Sequence, residues 1–295
     1  MDIHRGATCS SCRSRPAAYY RASSGERLCT TCLERSLVRI VKGTLSRLAG
    51  MRPEDHILVP VDKSFKARTL AMLRLLGLVE KRYPSTMSVV FLYDASPEDL
   101  GLARKLDVKG STIYVAEARV PATGSLLEKL RALRALGGEA AQRLGASVVA
   151  LPLLRDELSK IMLSSMLRGK VDGVLEHRAS LTCQGLKYVY PLYRVYSEDL
   201  AFYTHMLGLG GAAVCGDRLE SSVGQLLLRV FSESRELSYS MPKSAEFFRE
   251  AAGDVGRCGV CCAEGGEPVC EVCSKLGLRE AAKTLSVRLS SSGSP

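Results

Sequence analysis

Between residues 56 and 167 the apolar positions fall into two alternating kinds of run. The short runs HILVPV (56–61), MSVVFLY (87–93), STIYVAEA (111–118) and ASVVALPLL (146–154) have the length and β-branched content of buried strands. Longer segments with helical spacing stand between them. After the first run come a polar loop and a helix with Leu70, Leu73 and Leu76 on one face. Residues 126–136 carry Leu126, Leu130 and Leu133 at i, i+4 and i+7, and 158–167 reads LSKIMLSSML. Such leucine and methionine stripes belong to core-facing helices. Strands alternating with helices predict an α/β fold with a parallel sheet and helices on both faces.

Ligands of such sheets bind at the carboxyl ends of the strands. The loop Asp62-Lys63-Ser64-Phe65-Lys66-Ala67 stands at one such end. A loop that cradles phosphate needs glycines for close backbone approach and free N–H groups at the helix start. This one has no glycine.

The cysteines carry the strongest local signal. Eight of the 11 form two sets: Cys9-x2-Cys12 with Cys29-x2-Cys32, and Cys258-x2-Cys261 with Cys270-x2-Cys273. Two such knuckles bring four thiolates into a tetrahedron, so one zinc ion is expected in each set. Disulfides and an iron–sulfur cluster are the alternatives. Four thiolates leave no open position, so the expected role is structural. In the first set a Gly-Glu turn between two short strand-like pieces fits a zinc ribbon. Cys262 breaks the knuckle spacing and reads as a bystander. Cys183 and Cys215 read as small buried residues.

The 295 residues carry a formal charge of +10 and are 46% hydrophobic, enough for one sizeable core with small appendages. The positive balance favours a nucleic-acid partner, the alternative being the Arg-rich surface of a thermophile's protein. The chain has no Asn and three Gln, and this scarcity of thermolabile amides points to a hot source. No run approaches the roughly 18 apolar residues of a membrane span, and the N-terminus shows no apolar leader. A soluble, cytoplasmic protein with no membrane partner is expected. Candidate RNA contacts are Arg13, Arg15, Arg21 and Arg27 in the first four-cysteine segment, and Lys63, Lys66 and Arg68 at the loop. Three basic residues at a helix start oppose its dipole, a repulsion an RNA phosphate would relieve. Tyr19 and Tyr20 are candidates for stacking on unpaired bases or for packing against the knuckle.

The arrangement resembles the tRNA 2-thiolation enzymes, the TtuA-like or cytosolic thiouridylase group, over nearly the whole chain. CSSCRSRPAAYYRASSGERLCTTC is similar to that family's first ribbon, and CGVCCAEGGEPVCEVC to its second. LGASVVALPLLRDELSKIMLSSMLRGK lies where the family has a strand, a Gly-His-Asn-Leu-Asp-Asp-Glu segment and a helix. YPLYRVYSEDLAFYTHMLGL resembles its Pro-Leu stretch and the helix after it. The resemblance implies a PP-loop ATPase-like (adenine nucleotide alpha hydrolase-like) core between two zinc ribbons. The expected division is 1–48 for the N-terminal ribbon and linker helix, 49–245 for the core, and 246–295 for the C-terminal ribbon and polar tail.

The positions that do the family's chemistry depart from it. Its phosphate loop reads Ser-Gly-Gly-x-Asp-Ser, where this chain has residues 62–67 as quoted. Its His-Asn-Leu-Asp-Asp-Glu segment is here Pro152-Leu153-Leu154-Arg155-Asp156-Glu157, with Arg155 in place of the first Asp. Its central Cys-x-x-Cys follows a proline, but here Pro121 is followed by ATGS. Cys215 falls near a later family cysteine and alone cannot hold a cluster. The implied protein is a degenerate paralogue with no catalytic residues of its own, binding neither ATP nor an iron–sulfur cluster. Its expected partners are tRNA and a homologous thiolation enzyme, or a second copy. The alternative is an active, divergent ATP-dependent tRNA sulfurtransferase with magnesium on Asp156 or Glu157. A DNA-binding zinc-ribbon regulator lacks an identifiable recognition helix.

Overall fold

The computed structural model describes residues 7–117, 122–211, 216–234 and 236–290. The N-terminal ribbon is a hairpin, β1 (Tyr19–Arg21) and β2 (Glu26–Leu28), paired antiparallel. Gly25 takes the left-handed turn position between them (φ +71°), as a side-chain-free residue can. Helix α1 (Thr30–Gly43) leads from the second knuckle into the core.

The core alternates β3 (His56–Val61), α2 (Lys66–Glu80), β4 (Thr86–Phe91), α3 (Pro97–Leu106), β5 (Thr112–Glu117), α4 (Leu126–Leu144), β6 (Val148–Ala150) and α5 (Arg155–Leu167). A short helix α6 (Val171–Val174) leads to the hairpin β7 (Ser180–Cys183) and β8 (Leu186–Val189). Helices α7 (Ser197–Met206), α8 (Arg218–Glu233) and α9 (Leu237–Ala252) follow. The second ribbon runs into α10 (Glu271–Lys275), α11 (Leu278–Lys283) and β9 (Ser286–Leu289).

The seven-stranded sheet has the order β7-β8-β6-β3-β4-β5-β9. Strands β8, β6, β3, β4 and β5 are mutually parallel, and β7 and β9 close the two edges antiparallel. The chain leaves β3 in one direction to form β4 and β5, then returns through α4 to place β6 on the other side of β3. That reversal puts a topological switch point between β3 and β6, where open α/β sheets bind ligands.

Alternate residues of each central strand enter opposite layers. Ile57, Val59 and Val61 of β3 pack with α1, α2, α3 and α7, and Leu58 packs with α4 and α5. Helix α4 starts on a capping box between Ser125 and Glu128 and ends at Gly145 in the left-handed conformation. The buried carboxylate of Glu220 accepts from the backbone N–H of Leu126 at 2.7 Å, so α8 also satisfies the start of α4.

The expected strands and helices of the core are present, with β6 shorter than the run that predicted it. The hairpin β7–β8 and the edge strand β9 were not legible as strands. Among the described residues no helix is long and apolar enough to cross a membrane.

His177 follows α6 and is 1% exposed, between Ser159 Oγ at 2.9 Å and Tyr193 Oη at 3.3 Å. Burial lowers its pKa to about 3, and the cations Arg155 and Arg249 push the same way. The folded state therefore keeps the ring neutral while the unfolded chain protonates it near pH 6.5. Stability from this site is present above that pH and is lost as pH falls toward 3, at about 1.4 kcal/mol per pH unit. Denaturant unfolding across this range will show that slope, and His177→Gln will flatten it.

Candidate functional site

The loop after β3 has the position of a phosphate loop and the packing of a closed one. Asp62 accepts a hydrogen bond from the backbone N–H of Ser64 at 2.8 Å, so the chain's own carboxylate takes a donor that a phosphate would use. Phe65 is 1% exposed and packs into the layer under α4 and α5. Ser64 stays at the surface, and Ala67 begins α2 behind Lys66.

The basic residues here are committed internally. Lys66 Nζ binds Asp99 at 2.9 Å. Burial works to protonate Asp99, but the bonds from Lys66 and Tyr93 hold its carboxyl below the ordinary value. Arg68, expected as an RNA contact, is 3% exposed and forms a buried ion pair with Glu157. Its guanidinium also donates to the carbonyl of Pro152 at 3.3 Å. The repulsion at the start of α2 is thus relieved by the protein's own carboxylates, because burying a cation without a partner is far costlier than pairing it. Lys63 alone of the three remains exposed, its ammonium 5.6 Å from the centre of the Tyr93 ring.

The opposite wall is equally closed. Glu157 accepts from the backbone N–H of Leu154 at 3.1 Å and is paired with Arg68, so its charge is already met within the protein. Arg155 is 5% exposed. It lies 4.2 Å from the Tyr239 ring centre and donates to Ser238 Oγ at 3.0 Å, tying α9 across the carboxyl ends of the strands. Asp156 is partly buried, and burial raises its pKa. The cavity beside it, with Tyr196 and Glu198, measures about 150 Å³. That is about half the smallest common ligand cleft.

The two cysteine sets are brought together as expected. Within each, the four sulfurs lie within 4.8 Å of one another. Cys12 and Cys29 Sγ are 3.9 Å apart, and Cys261 and Cys270 Sγ 3.7 Å. A tetrahedron of bonds of about 2.3 Å around one ion has edges of about 3.8 Å, so each set fits a single metal ion. A cubane cluster would spread its thiolates over four irons. Cys9, Cys29 and Cys32 are buried in the first set, and Cys258, Cys261, Cys270 and Cys273 in the second. Two buried arginines of α4 flank the second set: Arg134 donates to the carbonyl of Cys261 at 3.2 Å and pairs with Glu176, and Arg131 binds Asp172 at 2.7 Å. Burial works to protonate Glu176, and the two guanidiniums hold it below its ordinary range.

Cys262 is no bystander. It forms a disulfide with Cys183, 79 residues away, and ties the second ribbon to the β7–β8 hairpin. Cys215 and Pro121 lie outside the described residues, and residues 122–125 lead into the cap of α4.

On the first ribbon Tyr19 and Arg21 face the core. Tyr19 Oη donates to Asp199 at 2.8 Å, and its ring stacks on Phe202 at 4.7 Å. Arg21 binds the same carboxylate at 3.0 Å. Arg13, Arg15, Arg27 and Tyr20 are exposed, and they are what this ribbon presents to a polyanion.

Replacing Glu157 by Gln keeps the cap on Leu154 and leaves the Arg68 guanidinium buried without its counter-charge. Chemical denaturation is expected to record a loss of about 3 kcal/mol. The double change Arg68→Met/Glu157→Leu will restore most of it, since paired hydrophobic replacement is close to neutral.

No protein-family model and no curated protein matches this chain. Among solved structures it is similar to the U34-tRNA thiolase NcsA from Methanococcus maripaludis, solved with its [4Fe-4S] cluster, at 17% identity and a TM-score of 0.67. The match covers 90% of this chain and 94% of that one, so the two share a fold over nearly their full lengths.

Proposed function

We propose that the protein is a non-catalytic, tRNA-binding subunit of a tRNA 2-thiolation system, paired with an active PP-loop paralogue. The observation that carries this reading is the filled phosphate loop. Asp62 caps it, Phe65 plugs it and the buried Arg68–Glu157 pair closes it, on a fold shared with a tRNA thiolase. The exposed Arg13, Arg15 and Arg27 supply the salt-dependent phosphate contacts such a subunit needs. Each four-cysteine set holds one structural zinc, favoured by sulfur spacings that suit one ion.

Calorimetry with the zinc-replete protein tests the first part. Millimolar Mg-ATP is expected to give no saturable heat, while tRNA binds with an affinity that falls as salt rises. Alanine at Arg13 or Arg15 will reduce the slope of log K against log salt by about one unit each. Saturable one-to-one Mg-ATP binding overturns the non-catalytic reading in favour of a divergent sulfurtransferase.

Metal analysis of protein purified without oxygen is expected to return two zinc ions per chain. Iron, with the visible absorption of thiolate-bound iron, overturns that assignment.

A further inference from the structure

A second cavity, of about 340 Å³, lies between the C-terminal half of α4, the tip of the β7–β8 hairpin, the second ribbon and α11. The hairpin tip precedes β8, which runs parallel to β6 and β3, so this cavity sits at the amino ends of the strands. The filled phosphate loop is at the other end of the sheet. Its volume is within the roughly 300–1,000 Å³ of small-molecule clefts, with room for one compact ligand.

The walls are polar, and several of their groups have no other employment. Tyr188 is 3% exposed, and its hydroxyl has no hydrogen-bond partner among the described residues. Gly138 leaves that hydroxyl its space, since a Cβ there would stand 2.3 Å from it. Burial raises the Tyr188 pKa to about 12, so the hydroxyl keeps its proton and can donate. Gln142 and Gln184 also line the cavity. The chain holds three glutamines and no asparagine, so two of its three side-chain amides face one space.

Arg279 and Lys283 of α11 supply the charge. Arg279 is exposed and has no ion-pair partner among the described residues. Lys283 reaches Glu280 at 3.0 Å at the surface. The acidic lining residue, Glu139, is already bound by Arg143 at 2.8 Å.

The walls are also held in place. The Cys183–Cys262 disulfide fixes the hairpin to the ribbon one residue before Gln184. Gln184 sits at φ +51° and donates from Nε2 to the carbonyl of Gly259 at 3.2 Å. Arg143 donates to the carbonyl of Lys283 at 3.1 Å, anchoring α11 to α4.

We propose that this cavity binds a single purine nucleotide, its phosphate on Arg279 and Lys283 and its base read by the Gln142 and Gln184 amides with the Tyr188 hydroxyl. A guanidinium fork matches phosphate, and a carboxamide offers the donor and acceptor that adenine's N7 and N6 edge requires. The nucleotide is either free or an unpaired residue of an RNA strand, and the chemistry is shared. The site stands whether or not the protein takes part in thiolation.

Titration calorimetry of the full chain with AMP tests it, with adenosine and inorganic phosphate as the separate halves. AMP is expected to bind one-to-one below millimolar concentration, and each half to bind more weakly. Arg279→Ala and Gln142→Leu, both on exposed helix positions, are each expected to weaken AMP binding about tenfold, the effect of one lost charge-assisted or bidentate contact. A short adenine-ended RNA that displaces AMP identifies a strand residue as the ligand. RNA that leaves bound AMP in place identifies the free nucleotide. No heat with millimolar AMP, or AMP binding unchanged in both variants, overturns the proposal.

Discussion

The carboxyl ends of the central strands are organised by one buried ion pair, Arg68 with Glu157. Two charges removed from water are tolerated only when each meets the other with good geometry and extra hydrogen bonds. That condition joins the first turn of α2 to the first turn of α5 across the β3–β6 switch point, with the Pro152 carbonyl as a further acceptor. At the same loop Asp62 accepts from the Ser64 backbone N–H, a donor that a phosphate would otherwise use. Asp62, Phe65 and Arg155 complete the closure from three directions. The ends of β3 and β6, the switch point of the sheet, have become part of this protein's core.

The two ribbons are attached by a related device. Neither is large enough to form a core of its own, so each needs a metal-sized cross-link and a dock. The first docks through Tyr19 and Arg21 on the buried carboxylate of Asp199. The second docks through Arg134 of α4 on the Cys261 carbonyl, Arg178 on Glu264 and Lys275 on Glu128, with the Cys183–Cys262 bond beside them. By chain-closure entropy, a cross-link over 79 residues contributes on the order of 4 kcal/mol. The second attachment leaves a gap with the sheet, and the cavity at the amino ends of the strands follows from that geometry.

The division of labour in the fold is therefore reversed from one end of the sheet to the other. At the carboxyl ends, basic side chains are consumed by internal carboxylates. At the amino ends, Arg279, the Gln142 amide and the Tyr188 hydroxyl are left without such partners around a preserved space, beside the Gln184 amide held on the Gly259 carbonyl.

Local pattern alone determined the class of this protein. Continuous apolar runs made β3 and β4 readable, heptad-like leucines made α2 and α4 readable, and knuckle spacing picked out the eight thiols, because each signal lies within a few residues. The tertiary structure decided everything that rests on distant partners. Arg68 looked like a surface cation because Glu157 is 89 residues away, and Cys262 looked idle because Cys183 is 79 residues away. The four-residue strands β7, β8 and β9 carry too little pattern to be seen, and they exist because a sheet edge offers them hydrogen bonds. Whether a polar side chain meets solvent, an ion-pair partner or a cavity is set by what the fold places opposite it, and no stretch of sequence contains that information.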